Sequence, residues 1–472
     1  MRFYKGFQKR ITGTAIALTI AIVSITQPIT VYAHESARMA TLTKEARDIV
    51  LSDFEYLAEI LIQNAPFQGS LYRRLGFTLE EHLDITRHLI KSMRPIPSFT
   101  VRGLGERWEG ELTDDLYKAA DYLYSLLAML GFAVESIGHM GPMRAEEFTR
   151  LLTHMEIVGY TLGNDPELAS EFDIRLIEWF YDVHGIFTKP ASLWLYDVSL
   201  EDIDITIDIA ETRRGNENNV TTRILEPDRI AYIHIASWAN CYELDGEVLF
   251  PFFEEVQSYE HLIIDIRGNA GGFPEYVTKV IGALIDEPLD FVYYEFFTAG
   301  EMAMGIWDVN TVFLVTADDK LNAYEFIHKN NLTAFNKDDL ALITYAVRWN
   351  YRIEPMENSS PFMGDIWILV DDRSASASEL IALIAMDTGF ATVVGEPTRG
   401  VTPVQTLHIS LPQTGIIFRL DIGSLVDSTG RSLEEFGVTP QIANNEGMDA
   451  LETVLSVIDK VSARRCRLQL YY

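Results

Sequence analysis

Long apolar runs alternate with stretches of helical periodicity in the second half of the chain. The runs RIAYIHIASW, HLIIDIR and GDIWILVDD, which begin at residues 229, 261 and 364, are typical of strands buried on both faces. Residues 249–258, 275–284 and 375–386 carry apolar residues at helical spacing, and residues 390–395 are predicted to form a further strand. This alternation predicts β-α-β units and therefore an α/β core.

The first half of the chain is predicted to be helical. Over residues 43–91, Val50, Phe54 and Leu57 recur at spacings of four and three, and Thr78 with Glu81 forms a capping box before the next helix. Residues 113–130 predict another helix, ending at a glycine. We therefore expect an N-terminal helical domain over residues 34–185 and an α/β domain over residues 186–472. Within the α/β domain, the aromatic-rich segment 291–360 is predicted either to belong to the substrate cleft or to have a purely structural role.

Residues 1–33 have the pattern of a secretory signal peptide. Four basic residues within the first ten precede an apolar run over residues 11–25, and Val31 and Ala33 supply the small residues of a cleavage site. The run is slightly short for a spanning helix, so we expect cleavage without stable membrane insertion, with an uncleaved anchor as the alternative. The mature protein is then expected to be secreted or associated with the cell envelope.

Charge excludes some classes of partner. The formal net charge is −31, and loss of the four basic residues with the signal peptide takes it to about −35, which disfavours nucleic acid and anionic membrane surfaces. The two cysteines, Cys241 and Cys466, lie far apart in the sequence and match no metal-ligand spacing. Their pairing stays open.

Three alternating serines follow the strand that ends near residue 371. Ser374, Ser376 and Ser378 stand at a strand-to-helix turn among small residues, which is how α/β hydrolases present a nucleophilic hydroxyl. Serine also caps helices routinely, so the stretch alone does not establish a nucleophile.

A glycine turn upstream favours a catalytic role for one of these serines. The stretch HLIIDIRGNAGG is an apolar strand that ends in Asp265, Arg267 and Asn269, followed by Gly271 and Gly272. Consecutive glycines free backbone N–H groups to face a ligand, and such donors can form an oxyanion hole.

Together these stretches resemble the tail-specific (C-terminal processing) peptidase family, whose serine lies in SASASE and whose glycine turn has the form D-x-R-x-N-x-G-G. The resemblance extends over roughly residues 229–459. It implies a serine peptidase with a crotonase/Clp-protease-like core of stacked β-β-α units, here the α/β domain. It also implies that the middle serine, Ser376, is the nucleophile.

The lysine that usually partners this serine in the family is absent. The family segment G-K-G-x-x-Q is GVTPVQ here, so Val401 takes the lysine position while Gln405 keeps the glutamine, and no lysine lies between Ser376 and Lys460. A Ser-Lys dyad is therefore excluded. The chain instead resembles the histidine-using branch, similar to the tricorn core and retinoid-binding-protein-like members.

The resemblance to that branch supplies the remaining roles. A histidine in a short turn after the N-terminal helices corresponds to His139, and a glutamate shortly before G-V-x-P corresponds to Glu434. It thus implies His139 as general base and Glu434 as its orienter. The oxyanion donors would be Gly271 or Gly272, together with Ala377, and the supporting residues would be Asp265, Arg267 and Gln405. His184 is a rival base with an expected structural role, and the alternative for Glu434 and Glu435 is that of solvated loop acids.

The sequence therefore predicts a secreted serine endopeptidase acting on polypeptides without a metal or organic cofactor. Two alternatives stay open. One is a catalytically inactive ligand- or peptide-binding protein on the same fold, favoured by the missing lysine. The other is a hydrolase of non-peptide esters that uses the same nucleophile. The substrate, the cleavage preference and the oligomeric state are not given by the sequence.

Overall fold

The structure is a computed structural model. It describes residues 39–98, 113–134, 140–143, 219–239, 242–303, 316–317, 321–357, 359–401 and 406–469. The predicted signal peptide, His139, His184, Gln405, Cys241 and the predicted domain boundary at residue 185 all lie outside these ranges. Within the described part, no helix is both long enough and apolar enough to span a membrane.

The N-terminal part is mainly helical, as predicted. Its elements are β1 (Met39–Ala40), α1 (Lys44–Asn64), α2 (Gln68–Leu75), α3 (Leu79–Ser92), β2 (Ile96–Pro97), α4 (Asp114–Val134) and β3 (Gly141–Pro142). The capping box of Thr78 and Glu81 at the start of α3 is confirmed. Helix α4 continues past Gly131, where it was predicted to end. The apolar residues that follow extend the helical pattern, so the cost of one internal glycine, about 1 kcal/mol, does not stop the helix.

The second half alternates strands and helices. The elements are β4 (Val220–Glu226), β5 (Ile230–Ile235), α5 (Tyr242–Val256), β6 (His261–Asp265), α6 (Pro274–Leu284), β7 (Leu289–Phe297), β8 (Thr316–Ala317), β9 (Leu321–Asn322), α7 (Ala323–Lys329), a 3₁₀ helix (Lys337–Ala341), β10 (Tyr345–Ile353), β11 (Asp365–Val370), α8 (Ala377–Thr388), β12 (Thr392–Gly395), β13 (Thr406–Ser410), β14 (Ile417–Asp421), β15 (Gly423–Val426), α9 (Leu433–Phe436), β16 (Ile442–Ala443) and α10 (Ala450–Gln469).

A six-stranded sheet organises this half, in the order β16-β12-β11-β6-β5-β4. Neighbouring strands from β16 to β5 are parallel, and β4 is antiparallel to β5. Every residue of β6 is buried, as its apolar run predicts. Helices α5, α6 and α8 pack on one face of the sheet and α10 on the other. The predicted α/β core preceded by helices is confirmed.

The sheet brings two loops to the same edge. Strands β6 and β11 are adjacent and parallel, with Leu369 paired to Asp265 at their carboxyl ends. The glycine turn leaves β6 and the serine turn leaves β11 at this edge. The two segments that the sequence singles out are therefore neighbours, as the α/β topology requires.

Besides the two-stranded pair β1–β2, two smaller sheets complete the described structure. One has the order β15-β7-β10-β8, with β9 also on β10, and it contains the strands of segment 291–360. The strands of that segment are thus part of one sheet. The other sheet, β13-β14-β3, joins the N-terminal part to the hairpin β13–β14.

The N-terminal helices share a hydrophobic core with that hairpin. The same cluster contains Phe54 of α1, Tyr122 of α4 and Ile417 of β14. The buried carboxylate of Asp53 adds polar contacts, because it accepts hydrogen bonds from the backbone N–H groups of Gln413 and Thr414, each at 2.8 Å. The helices are therefore packed directly against the α/β part.

His82 gives the helical part a pH dependence. Its ring is 7% exposed, stacks on Phe77 at a centroid distance of 5.0 Å, and has no hydrogen-bond partner for Nε2 among the described residues. Burial lowers the pKa of His82 to about 4 from an ordinary value of 6.5. The unfolded chain therefore binds a proton at a higher pH than the folded chain, so stability is lost as pH falls from 6.5 toward 4.

We expect His82→Leu to remove that acid sensitivity. The difference between the two pKa values makes the unfolding free energy of the wild-type protein about 2 kcal/mol lower at pH 5 than at pH 8. Urea titrations at the two pH values measure the difference. His88→Ala, an exposed histidine on the same helix, is the control. A pH dependence unchanged in His82→Leu would contradict the assignment.

Candidate active site

Ser376 occupies a sharp turn between β11 and α8. It is the residue before the helix, with φ 55° and ψ −116°, and its side chain makes no capping hydrogen bond. A non-glycine residue rarely adopts positive φ, and such strain persists only where the surroundings enforce it. One such contact is the Ser376 N–H, which donates to the Val401 carbonyl at 2.6 Å. The turn therefore has the strained form expected of a nucleophile elbow.

The flanking serines have structural contacts instead. Ser374 and Ser378 are fully buried, whereas Ser376 is partly exposed. The Ser374 hydroxyl donates to the Ile266 carbonyl at 3.0 Å. The Ser378 hydroxyl donates to the Asn269 carbonyl at 2.9 Å and accepts from the Trp238 indole N–H at 2.9 Å. Of the three serines, only Ser376 is reachable by a substrate.

The glycine turn is fixed by the acid and the arginine that precede it. Asp265 is 1% exposed and accepts hydrogen bonds from the Arg267 guanidinium, the shortest at 2.6 Å, and from the Tyr232 hydroxyl at 2.8 Å. The Asp265 carboxylate raises the pKa of Arg267, which stays charged. Burial, followed by the Asp265 charge, raises the pKa of Tyr232 to about 12. Both Asp265 and Arg267 are occupied within the protein.

Asp371 ties the glycine turn to the serine turn. Its Oδ1 accepts from the Gly268 N–H at 2.8 Å and from the Ser374 N–H at 3.1 Å. Burial opposes ionisation, but the hydrogen bond from the Gly268 N–H and the contacts with Arg373 outweigh it and lower the pKa of Asp371. The Ala375 N–H adds a further link by donating to the Asn269 carbonyl at 3.1 Å.

The two turns touch at Gly271. Its φ is 103°, and a Cβ added there would lie 2.6 Å from the Ser376 Cβ and 2.8 Å from the Ala375 carbonyl oxygen. Gly272, with φ 146°, is equally confined, because an added Cβ would lie 2.0 Å from the Ala239 nitrogen. Only glycine fits at either position.

The backbone N–H groups of this region differ in their availability. The Gly271 N–H donates to the Asn269 Oδ1 at 2.9 Å, so it is already occupied. Among the described residues, the N–H groups of Gly272 and Ala377 make no hydrogen bond. Of the three donors that the sequence analysis named, Gly272 and Ala377 are therefore the two left available.

Glu434 lies in α9 and is 1% exposed. Its Oε1 accepts from the Leu425 N–H at 2.8 Å, and its Oε2 accepts from the hydroxyls of Ser424 at 2.9 Å and Ser432 at 3.1 Å. Glu434 is therefore a buried, fixed carboxylate and not a solvated loop acid. Its neighbour Glu435 is bound to Arg73 at 2.7 Å.

Val401 occupies the position of the family lysine without replacing its chemistry. It is 7% exposed, and it contributes through its carbonyl to the Ser376 N–H. His139 lies outside the described residues. The adjoining residues Met140–Met143 are described: Gly141 pairs with Arg419 of β14, and the Met143 N–H donates to the Ile417 carbonyl at 2.7 Å.

The structure adds residues that the sequence argument did not assign. Glu379, the last letter of SASASE, is fully buried and accepts from the Thr398 hydroxyl at 2.6 Å and from the Gly400 N–H at 2.7 Å. Its place in the matched stretch was a signal that it has a role. Arg74, far away in α2, donates to backbone carbonyls beside the site, and no local pattern indicates this.

Comparison with known proteins shows what the α/β part is similar to. Residues 229–444 match the model of peptidase family S41. A Chlamydia pneumoniae protein designated CPj1016/CpB1054 is 24% identical over 250 residues, which are 46% of this chain and 40% of that protein. The family match confirms the predicted resemblance to the tail-specific serine peptidases.

Solved structures show likeness at low identity. Mature CPAF is 12% identical, with a TM-score of 0.48 over 90% of this chain and 98% of that chain. The photosystem II D1 C-terminal processing protease is 18% identical, with a TM-score of 0.32 over 49% of each chain. The chain thus spans half or less of the length of the Chlamydia protein and of the processing protease. The resemblance to the family rests on the family model.

Proposed function

We propose that this chain, whose residues 229–444 match the model of peptidase family S41, is a serine endopeptidase with Ser376 as its nucleophile. The observation that carries the proposal is the strained, partly exposed Ser376 beside the N–H groups of Gly272 and Ala377. A nucleophilic hydroxyl and backbone N–H donors for the oxyanion are the parts that acyl transfer needs.

The reaction divides into two proton-coupled steps. His139 accepts the proton from the Ser376 hydroxyl as its oxygen attacks the carbonyl carbon of a peptide bond, and it then donates that proton to the leaving amine. Water, activated by the same histidine, hydrolyses the resulting acyl-enzyme ester and regenerates Ser376. The N–H groups of Gly272 and Ala377 bind the developing oxyanion, and loss of one such donor typically costs about 100-fold or more in rate.

Glu434 orients the histidine and stabilises its charged form in this proposal. Support comes from the three hydrogen bonds that hold its buried carboxylate in place. Gln405 is proposed as a supporting residue from its place in the family segment. Asp265 and Arg267 support the site indirectly, by fixing the glycine turn.

Location and domain roles follow from the sequence. The pattern of residues 1–33 supports export, so the polypeptide substrates are met outside the cytoplasm. Residues 34–185 are proposed as the helical domain and residues 186–472 as the catalytic domain.

Labelling with a fluorophosphonate probe tests the proposal. We expect a single adduct, located by mass spectrometry at Ser376 of the mature protein. Labelling should collapse in His139→Ala and persist in His184→Ala. A folded wild-type protein without an adduct, or an adduct on another serine, would overturn the proposal. A panel of peptides and short-chain esters then separates peptidase from esterase activity: turnover on esters exceeding every peptide by orders of magnitude would exclude the peptidase.

A further inference from the structure

Helix α2 of the N-terminal part docks directly on α9, which carries Glu434. The Arg73 guanidinium donates to Glu435 at 2.7 Å and to both carboxylate oxygens of Asp339 at 2.8 Å. The hydroxyls of Ser70 and Ser432 lie 3.0 Å apart. These contacts hold α2 in position beside α9, the helix that carries Glu434.

Arg74, the next residue, reaches from α2 to two separate backbone segments. Its Nη1 donates to the Glu434 carbonyl at 2.8 Å, and its Nη2 donates to the Arg399 carbonyl at 3.0 Å. A planar guanidinium holds two acceptors in a fixed relation. The ammonium of a lysine is a single point charge and does not reproduce that geometry.

Both segments contribute to the proposed catalytic centre. The first is α9, with the Glu434 carboxylate. The second runs through Gly400 to Val401, whose carbonyl accepts the Ser376 N–H at 2.6 Å. Gly400 lies within the same cluster: a Cβ added there would be 2.8 Å from the Arg74 Nη1 and 3.0 Å from the Glu434 carbonyl oxygen.

We infer that Arg74 is a positioning residue that holds the Ser376 segment and the Glu434 segment in register. The inference rests on the proposed function, in which these two residues belong to one catalytic group. Without the guanidinium the two carbonyls lose a shared donor, and the segments are free to shift relative to each other. A misplacement of about 1 Å costs about 100-fold in rate.

The test compares Arg74→Ala and Arg74→Lys with Arg87→Ala, in which an arginine of the helical part loses its ion pair to Glu55. We expect Arg74→Ala to lower kcat by about 10- to 100-fold with KM within about twofold. Lysine should restore little of the rate. Guanidinium ion at millimolar concentration should restore part of the activity of Arg74→Ala only. Arg87→Ala should match wild type.

Amide hydrogen exchange gives a readout that does not depend on turnover. The N–H groups of Ser376 and Gly400 are expected to exchange faster in Arg74→Ala and at wild-type rates in Arg87→Ala. Unchanged kcat with unchanged exchange would overturn the inference, as would full activity in Arg74→Lys. If wild type shows no peptide turnover, the proposed function fails, and the exchange rates still decide whether Arg74 holds the two segments.

Discussion

Ser376→Gly is expected to abolish peptide turnover while raising the free energy of unfolding by about 1 kcal/mol. Loss of a serine nucleophile costs about 10⁴-fold or more in kcat, because only the oxyanion donors and substrate binding remain. At the same time glycine adopts the backbone of this turn, φ 55° and ψ −116°, without the penalty that a Cβ incurs. A stabilising substitution at the catalytic position is the mark of strain kept for function.

Ser376→Ala separates the two effects. It removes the same hydroxyl, so turnover should fall as far as in Ser376→Gly. It keeps the Cβ, so the strain remains and the unfolding free energy should stay within about 0.5 kcal/mol of wild type. Urea denaturation and single-turnover assays on both variants measure the two quantities.

The flanking serines supply the matched controls. Ser374→Ala and Ser378→Ala each remove a fully buried, hydrogen-bonded hydroxyl, which should cost about 1–3 kcal/mol of stability. Turnover of the folded protein should stay within about tenfold of wild type. If Ser378→Ala loses as much activity as Ser376→Ala, or if Ser376→Gly is less stable than Ser376→Ala, the assignment of strain and nucleophile to Ser376 is wrong.

The central sheet could be predicted because burial on both faces leaves a plain signal. Strands β6 and β11 appear as unbroken apolar runs, and the parallel topology then brings the two turns together. The capping box could also be predicted, because Thr78 and Glu81 are only three residues apart in the sequence. The end of α4 was predicted wrongly because Gly131 was taken as a stop signal, although the cost of one internal glycine, about 1 kcal/mol, does not end a helix whose pattern continues beyond it.

The parts of the candidate site whose residues are neighbours in the sequence could be predicted. The serine and glycine stretches are contiguous, so their residues could be named from sequence. Whether Gly271 or Gly272 keeps a free N–H depends on the direction of the Asn269 side chain, which no sequence pattern specifies. The Arg74 contact joins residues 360 positions apart and exists only in the folded chain.

Glu295 is a further residue whose role depends on the folded structure. It stands in the aromatic strand β7, is 3% exposed, and pairs with Leu425 on β15 and Val347 on β10. Its Oε2 accepts from the Trp349 indole N–H at 2.7 Å, while Oε1 has no partner among the described residues. A Cβ added at Gly423 would lie 1.8 Å from that Oε1, so the glycine makes room for the carboxyl group.

Burial raises the pKa of Glu295 to about 8, although the Trp349 hydrogen bond opposes the shift; the charges of Glu434 and Asp421 add to it. The folded chain therefore keeps a proton that the unfolded chain loses near pH 4.5. This contribution to stability is complete below pH 4.5, and it is lost as pH rises through about 8. The two pKa values correspond to about 4–5 kcal/mol in total, of which about 2–3 kcal/mol falls between pH 6 and pH 9.

Glu295→Gln is expected to remove this alkaline loss of stability. The amide has the shape of the protonated acid and carries no charge, so its unfolding free energy relative to wild type should rise by about 2–3 kcal/mol from pH 6 to pH 9. Urea titrations at four or five pH values give the curve, and Glu247→Gln, at an exposed position of α5, should follow wild type throughout. A difference that does not depend on pH would show that Glu295 is ionised in the folded protein. In that case the buried Glu295 carboxylate would have to be held as an anion near the charges of Glu434 and Asp421, which burial disfavours.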